Sequence, residues 1–228
     1  MPISQNNVST EWRRAGALAL ISGYVDSYTL LNFGVFASFM SGNTTTGGAR
    51  AGQFKLAAAG HDLLPIPFFV LGILVGTLVP RSDQRRPLLR LALLISAMLS
   101  IGTLAAYLAW PQWSCIALLS TGMGVLNTCI TQVGGQSVSL GFVTGDLNNF
   151  AQHLALGIKR TPIPDPRDSL DTRWRRAAVL ASVWSAFLVG AVLGSAMAAR
   201  LAIWALLLPC GLLLIISSFV ERETVSGA

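Results

Sequence analysis

Charge is scarce in this sequence. Only 11% of the 228 residues are Asp, Glu, Lys or Arg, where soluble domains carry roughly a quarter. A water-facing globule of this length needs more polar side chains than that to coat it. Histidine is nearly absent, with two copies, and cysteine numbers three. Cys115, Cys129 and Cys210 are dispersed in apolar stretches. That odd, scattered set argues against a disulfide framework or a zinc centre and reads as small apolar filler. The chain also lacks a Walker loop, a His-Glu-x-x-His helix, a Gly-x-Ser-x-Gly elbow and a hydrolase triad. No catalytic residue, cofactor or metal ligand is expected, and an intramembrane enzyme ranks last among the function classes.

What the chain does hold is apolar residue, 53% of it, gathered in six blocks: roughly 15–39, 63–80, 88–110, 112–133, 177–199 and 201–220. Each approaches or exceeds the ~20 residues that carry a helix across a bilayer. Helices are the default there, because hydrocarbon offers no partner to backbone N–H and C=O groups. The first block resembles a signal peptide in position. It is too long for one, has no Ala-x-Ala-like site and contains Asp26, so it is expected to be retained.

Six spans with the N-terminus inside place 13 of the 16 Lys and Arg residues on the inner side. Only Arg50, Lys55 and Arg200 then lie outside, which the positive-inside rule favours. An eight-span alternative, with 44–60 and 147–160 crossing as well, moves the Arg81–Arg90 cluster outside. The net charge of +6 is therefore assigned to helix ends facing anionic headgroups, with no nucleic acid as partner. Trp12, Trp110, Trp113 and Trp174 fall at span ends, where interfacial anchors belong.

A short polar joint occurs twice. Residues 39–43 read FMSGN and residues 142–146 read FVTGD. Other echoes keep the same order. Gly23-Tyr24-Val25-Asp26 matches Gly124-Val125-Leu126-Asn127. The Phe69 to Gly76 stretch matches Phe187 to Gly194, both Phe-x-x-Gly-x-x-x-Gly. Arg90-Leu91-Ala92 matches Arg200-Leu201-Ala202. Four matches in order predict two repeats, 1–110 and 111–228, in one membrane domain. Three spans per repeat make the second enter from the opposite face, as in inverted-repeat transport folds. The expected fold is an all-α membrane protein of six transmembrane helices in two inverted three-helix repeats. Broken or re-entrant joints follow helices 1 and 4. The polar stretch 159–176, with Pro162, Pro164 and Pro166 alternating, is expected to be an extended inner linker.

The candidate site follows from these joints. Ser41 and Thr144 are read as N-caps, Gly42 and Gly145 as points of close backbone approach. Asn43–Ala59 and Asp146–Ile158 are read as short helices whose N-termini carry free N–H groups and partial positive charge. An interfacial, well-capped turn explains the joints equally well. Asp26 lies within the first apolar block. Intramembrane acids usually face the interior and mark ion or proton routes; a structural acid bonded to Ser22, Asn127 or a backbone N–H is the plainer alternative. Asn127 is its pseudo-equivalent. Asp146, Asn149 and His153 share a helical face, for which the preferred reading is the solvated face of an interfacial helix on the inner side. Gln132 and Gln136 are expected one helical turn apart at the end of the fourth helix. The Gly72/Gly76 and Gly190/Gly194 pairs are expected to pack the two repeats, or two subunits. The expected site is thus Asp26, Ser41, Gly42, Asn43, Asn127, Thr144, Gly145 and Asp146.

The stretch GYVDSYTLLNFGVFASFMSGNTTTGG, with GVLN and FVTGD later, resembles the YoaK-like family of bacterial integral membrane proteins, a domain of unknown function. The resemblance spans about 15–215 and rests on Gly23, Asp26, Phe36, Phe39, Met40, Gly42, Asn43, Gly124, Asn127, Thr144 and Gly145. Family members usually have Thr where Ser41 stands and no acid where Asp146 stands. The resemblance implies a multi-pass protein of the bacterial inner membrane; it implies no substrate. With both termini cytoplasmic, the expected function is a small-solute or ion transporter or channel. Its expected partners are the lipid bilayer, a small polar or ionic solute and, through Gly-rich faces, a second copy of the chain. The alternative is a non-transporting regulatory or assembly subunit.

Overall fold

The structure, a computed structural model, describes residues 5–79, 87–129, 132–133, 136–137, 143–164, 166 and 171–226. It is built from helices: α1 (Gln5–Phe33), α2 (Met40–Gly52), α3 (Leu56–Leu63), α4 (Pro65–Leu78), α5 (Pro87–Tyr107), α6 (Gln112–Asn127), α7 (Val143–Ile158), α8 (Arg173–Leu201) and α9 (Leu207–Ser226). α3 runs directly into α4, because Pro65 sits in the first turn of α4, where its missing N–H costs nothing. A 3-10 turn (Ala202–Leu206) joins α8 to α9.

Among the described residues, three helical stretches are long and apolar enough to cross a membrane: Leu56–Leu78, Leu89–Tyr107 and Arg173–Ser218, of 23, 19 and 46 residues. The fourth expected block differs from its reading. α6 stops at Asn127, and Gln132 and Gln136 fall in a two-residue antiparallel pairing, β1 (Gln132–Val133) with β2 (Gln136–Ser137). Gln132 faces Ser137 across it. The dipeptide Gly134-Gly135 between the strands disfavours the helix that the apolar count suggested. The first short helix also differs: α2 ends at Gly52, residues 53–55 form a turn, and Leu56 to Ala59 belong to α3.

α1 and α6 lie at the centre. Residues 115–117 and 119–126 of α6 are all buried, as is most of α1 from Ala15 to Thr29. α8 packs on α1 and α4 packs on α6, both through glycine. A Cβ at Gly190 would come within 3.0 Å of the Leu20 carbonyl, and one at Gly194 within 3.0 Å of Tyr24. Gly23 in return lies against Phe187 and Ala191. Positions rise together along both helices, so α1 and α8 run parallel. Trp12 extends the seam by donating to Ser182 Oγ, so it is a packing residue rather than a free anchor. Trp110, Trp113 and Trp174 are more than half exposed.

The α4–α6 pair repeats this geometry. Gly72 lies against Thr121 and Gly124, Gly76 against Val125 and Thr128, and Gly124 against Phe69 and Ile73. These helices are also parallel. Both glycine pairs are therefore consumed inside the chain, joining elements from its two halves. α1 and α6 run antiparallel, since Tyr28 neighbours Cys115 while Arg14 and Leu18 share a crevice with Cys129. The opposite faces of α4 and α8 stay apolar and exposed, at Val70, Leu71 and Leu74 and at Leu188, Val189 and Val192. Continuous apolar surface of this kind is what lipid covers.

Candidate functional site

α1 ends at Phe33 and is followed by Gly34, whose φ of +73° is open to glycine and strained for other residues. Its amide caps the helix on the Leu30 carbonyl at 3.0 Å. The chain then folds back. Asp26 and Phe33 are seven residues apart on α1, about 10 Å of helix rise, yet Ser38 has returned to the level of Asp26. The Ser38 N–H donates to Asp26 Oδ1 at 2.6 Å, and its hydroxyl donates to Oδ2 at 2.7 Å. The Ala37 and Phe39 amides lie beside the carboxylate. With the Ser38 proton given to Asp26, the 2.9 Å contact between Ser22 and Ser38 hydroxyls has Ser22 as donor. All three side chains are buried.

This geometry corrects the capping assignment. α2 starts at Met40 with Phe39 at its N-cap and no side-chain cap bond. Ser41 lies inside the helix and is exposed. Asp26 on α1 fastens the turn just ahead of the helix instead, at Ser38, one residue before the N-cap. A carboxylate at a helix N-terminus is the favourable sign for the helix dipole, and charge-assisted bonds offset part of its desolvation. Of the structural partners expected for Asp26, the backbone N–H is the one found, and Ser22 stands one bond further out.

Asn43 performs a second fastening. Its amide accepts from Phe36 N at 3.0 Å and donates to Phe36 O at 2.7 Å, which needs both functions of a carboxamide. Gly42 makes room for Phe36 and Phe39, whose rings meet edge-on at 5.3 Å. The hydroxyls of Thr44, Thr45 and Thr46 bond back to Met40, Ser41 and Gly42 carbonyls, so their exposed surface is largely methyl. α2 turns into α3 through Phe54, which adopts φ +61° and is 91% exposed. Arg50 bridges the turn to buried Asp62 at 2.8 Å. His61 sits 2.9 Å from the Phe33 carbonyl, closing α3 over the end of α1.

On the second half, Thr144, Gly145 and Asp146 occupy the first turn of α7. Thr144 lies within the helix, which starts at Val143, and is exposed; Asp146 is buried. Phe142 of the second joint lies outside the described residues. Asn127 is the last residue of α6 and half-buried. α7 packs back on the start of α8, with Gly157 against Trp174. His153 approaches Arg173 Nη1 at 3.5 Å, and Arg173 also holds the Thr161 and Pro162 carbonyls. Arg176 is held in a two-bond pair with Asp171.

Burial and the Arg173 and Arg176 charges push the His153 imidazole below its ordinary 6.5. The folded state therefore resists protonating it. Its contribution to stability is intact above the unfolded value and falls away as pH drops below about 6.5. Replacing Arg173 by Gln is expected to raise the His153 midpoint, as read from its ring proton shifts by NMR; an unchanged midpoint would refute the charge contribution.

Residues 15–219 match the family described as protein of unknown function (DUF1275), and the chain belongs to that family, the YoaK-like membrane proteins. It is 30% identical over 194 residues to a UPF0700 transmembrane protein of Rhizobium meliloti (strain 1021), covering 82% of this chain and 77% of the relative. No solved structure matches it. The family, the apolar helices and the lipid-type surface together make this a multi-pass membrane protein.

The sequence singled out Asp26, Asn43 and Gly42, and the structure brings them together around the first joint. Asp146 is the fourth residue of α7, as Asn43 is of α2. Ser38 and Asp62 were missed. Ser38 had a usable signal, being a hydroxyl residue just ahead of a polar joint that follows an acid-bearing helix.

Proposed function

We propose that this chain is a transporter or channel for a small polar solute or ion in the bacterial inner membrane. It would have six spans, cytoplasmic termini and a path between two inverted halves. The observation that carries the reading is the fold-back at residues 34–39, which sets the N-terminus of a short helix beside a buried carboxylate on a central helix. Broken backbone at membrane depth is tolerated where it is buried in protein or lines a cavity, and transport folds use it there.

The contacts support the inverted halves. A shift of 101 residues carries Leu20, Gly23 and Tyr24 onto Thr121, Gly124 and Val125. A shift of 118 carries Phe69, Gly72, Ile73 and Gly76 onto Phe187, Gly190, Ala191 and Gly194. Each close approach between α1 and α8 then has its counterpart between α6 and α4. The antiparallel run of α1 and α6 fits a two-fold axis in the membrane plane. It brings the equivalent residues Ser22 and Met123 near the crossing, with Asp26 and Asn127 about 6 Å to either side. The turns after α2 and α7 also agree, with Phe54 at φ +61° and Arg160 at φ +54° two residues past each helix end.

One observation favours the second reading, a non-transporting membrane subunit: Asp26 is 3% exposed and already engaged by Ser38. Cysteine accessibility separates the two. With Cys115, Cys129 and Cys210 replaced by alanine, Ser41→Cys and Thr44→Cys are expected to react with a membrane-impermeant thiol reagent from outside. Thr144→Cys is expected to react from inside. Protection of all three sites from both faces would favour the subunit. In the same series, Phe54→Cys is expected to label from outside and Arg160→Cys from inside; the reverse would overturn the topology.

A further inference from the structure

We infer that the site of this chain selects cations over anions; the inference rests on the transport reading above. An anion held within a membrane needs positive charge or free backbone donors. The six apolar blocks contain no Lys or Arg except Arg90 at the edge of the third, and α7 contains none. In α2 the cation is Arg50, committed to Asp62 at the far end of the helix. Arg14 stands at the inner end of α1, in the crevice with Cys129 and more than two helical turns from Asp26; at the joints themselves the positive resource is the N-terminus of each short helix, worth roughly half a charge.

The chain's own carboxylates already stand beside both termini. Asp26 takes the Ser38 N–H and hydroxyl, with the Ala37 and Phe39 amides beside it. Asp146 lies buried in the first turn of α7. A full negative charge set against roughly half a positive one leaves each terminus about half a unit negative. An incoming anion is repelled at both ends, while a cation is drawn toward them.

The two halves reach this balance by different routes. The acid stands at Asp26 on α1 and at Asp146 on α7, while the equivalent positions carry amides, Asn127 on α6 and Asn43 on α2. The residue types are exchanged between helices, but across these four positions each half keeps one carboxylate and one carboxamide. The charge of this set is the same in both halves even though no single position preserves it.

The test is ion flux through the full chain reconstituted in phosphatidylcholine/phosphatidylglycerol vesicles. Potassium chloride gradients would be read with a voltage-sensitive dye and proton gradients with an entrapped pH dye. Potassium or proton flux exceeding chloride flux at least tenfold is expected. Asp146→Asn is expected to cut that ratio several-fold, and it copies the amide that α2 already carries at Asn43. Asp26→Asn is expected to act in the same direction. Chloride-dominated flux would overturn the inference while leaving transport standing. Flux no greater than that of protein-free vesicles, for potassium, proton and chloride alike, would overturn both. A wild-type ratio retained in Asp146→Asn, with the variant eluting as folded protein, would also overturn it.

Discussion

Gly190→Ala and Gly72→Ala are each expected to destabilise the protein by about 2–3 kcal/mol, the cost of forcing extra carbon into a packed interior. The clash at both positions is with backbone. The new Cβ at Gly190 would meet the Leu20 carbonyl and that at Gly72 the Thr121 carbonyl, each well inside 3.0 Å. A carbonyl in a helix cannot rotate away as a long side chain does, so the helices must separate along the seam. Separation also loosens the neighbouring approaches of Gly23 to Phe187 and Gly124 to Phe69. Gly211 is the control. A Cβ there meets nothing within 4 Å, and Ala in place of Gly favours a helix interior by roughly 0.5–1 kcal/mol. Denaturation in mild detergent, followed by circular dichroism, gives the comparison. Similar losses at Gly190 and Gly72, with none at Gly211, are the expected pattern. Gly190→Ala matching Gly211→Ala would show that α1 and α8 do not touch as described.

That seam was half legible in the sequence. The Phe-x-x-Gly-x-x-x-Gly echo marked α4 and α8 as equivalent, and small-xxx-small spacing marked them as contact faces. Spacing does not name the partner. Two subunits and two halves were equally open until Leu20 and Thr121 were found on the other side. The same limit applies to the joints. Asp26 stood out because a lone acid in an apolar helix is costly. Its partner Ser38 is twelve residues away around a fold-back, a distance that helical periodicity does not reach. Ser41 looked like the cap because it sits at a helix start in a motif with Gly and Asn. The helix starts one residue earlier with no side-chain cap, and the turn before it is fastened from α1 at Ser38, a donor–acceptor pair closed by tertiary structure that local capping rules do not see. Gln132 and Gln136 failed for the opposite reason. Apolar content carried the fourth block past Asn127, whereas the paired glycines at 134 and 135 held the contrary signal.

Asp26→Ala is expected to be the most damaging single substitution at the first joint, at about 3–5 kcal/mol, the range for breaking a buried charged pairing from one side. The alanine leaves the Ser38 N–H and hydroxyl buried without their acceptor, and the N-terminus of α2 without its counter-charge. Asp26→Asn separates the two losses. Its side-chain oxygen still accepts from the Ser38 amide, and its NH2 still bonds the Ser38 hydroxyl, which then turns to accept. What it removes is charge, worth roughly 1 kcal/mol at a helix terminus. The expected order of stability is wild type, then Asn, then Ala, with the larger gap before Ala. Hydrogen exchange locates the effect: protection of the Ala37, Ser38 and Phe39 amides is expected to fall in the alanine variant while that of the α8 amides facing α1 stays high. Equal loss in Asn and Ala would make the charge, and not the bonds, the fastening. Exchange unchanged at Ser38 in the alanine variant would mean that Asp26 does not hold the joint at all. The carboxylate would then be free to meet a solute, which is the role its place on a central helix first suggests.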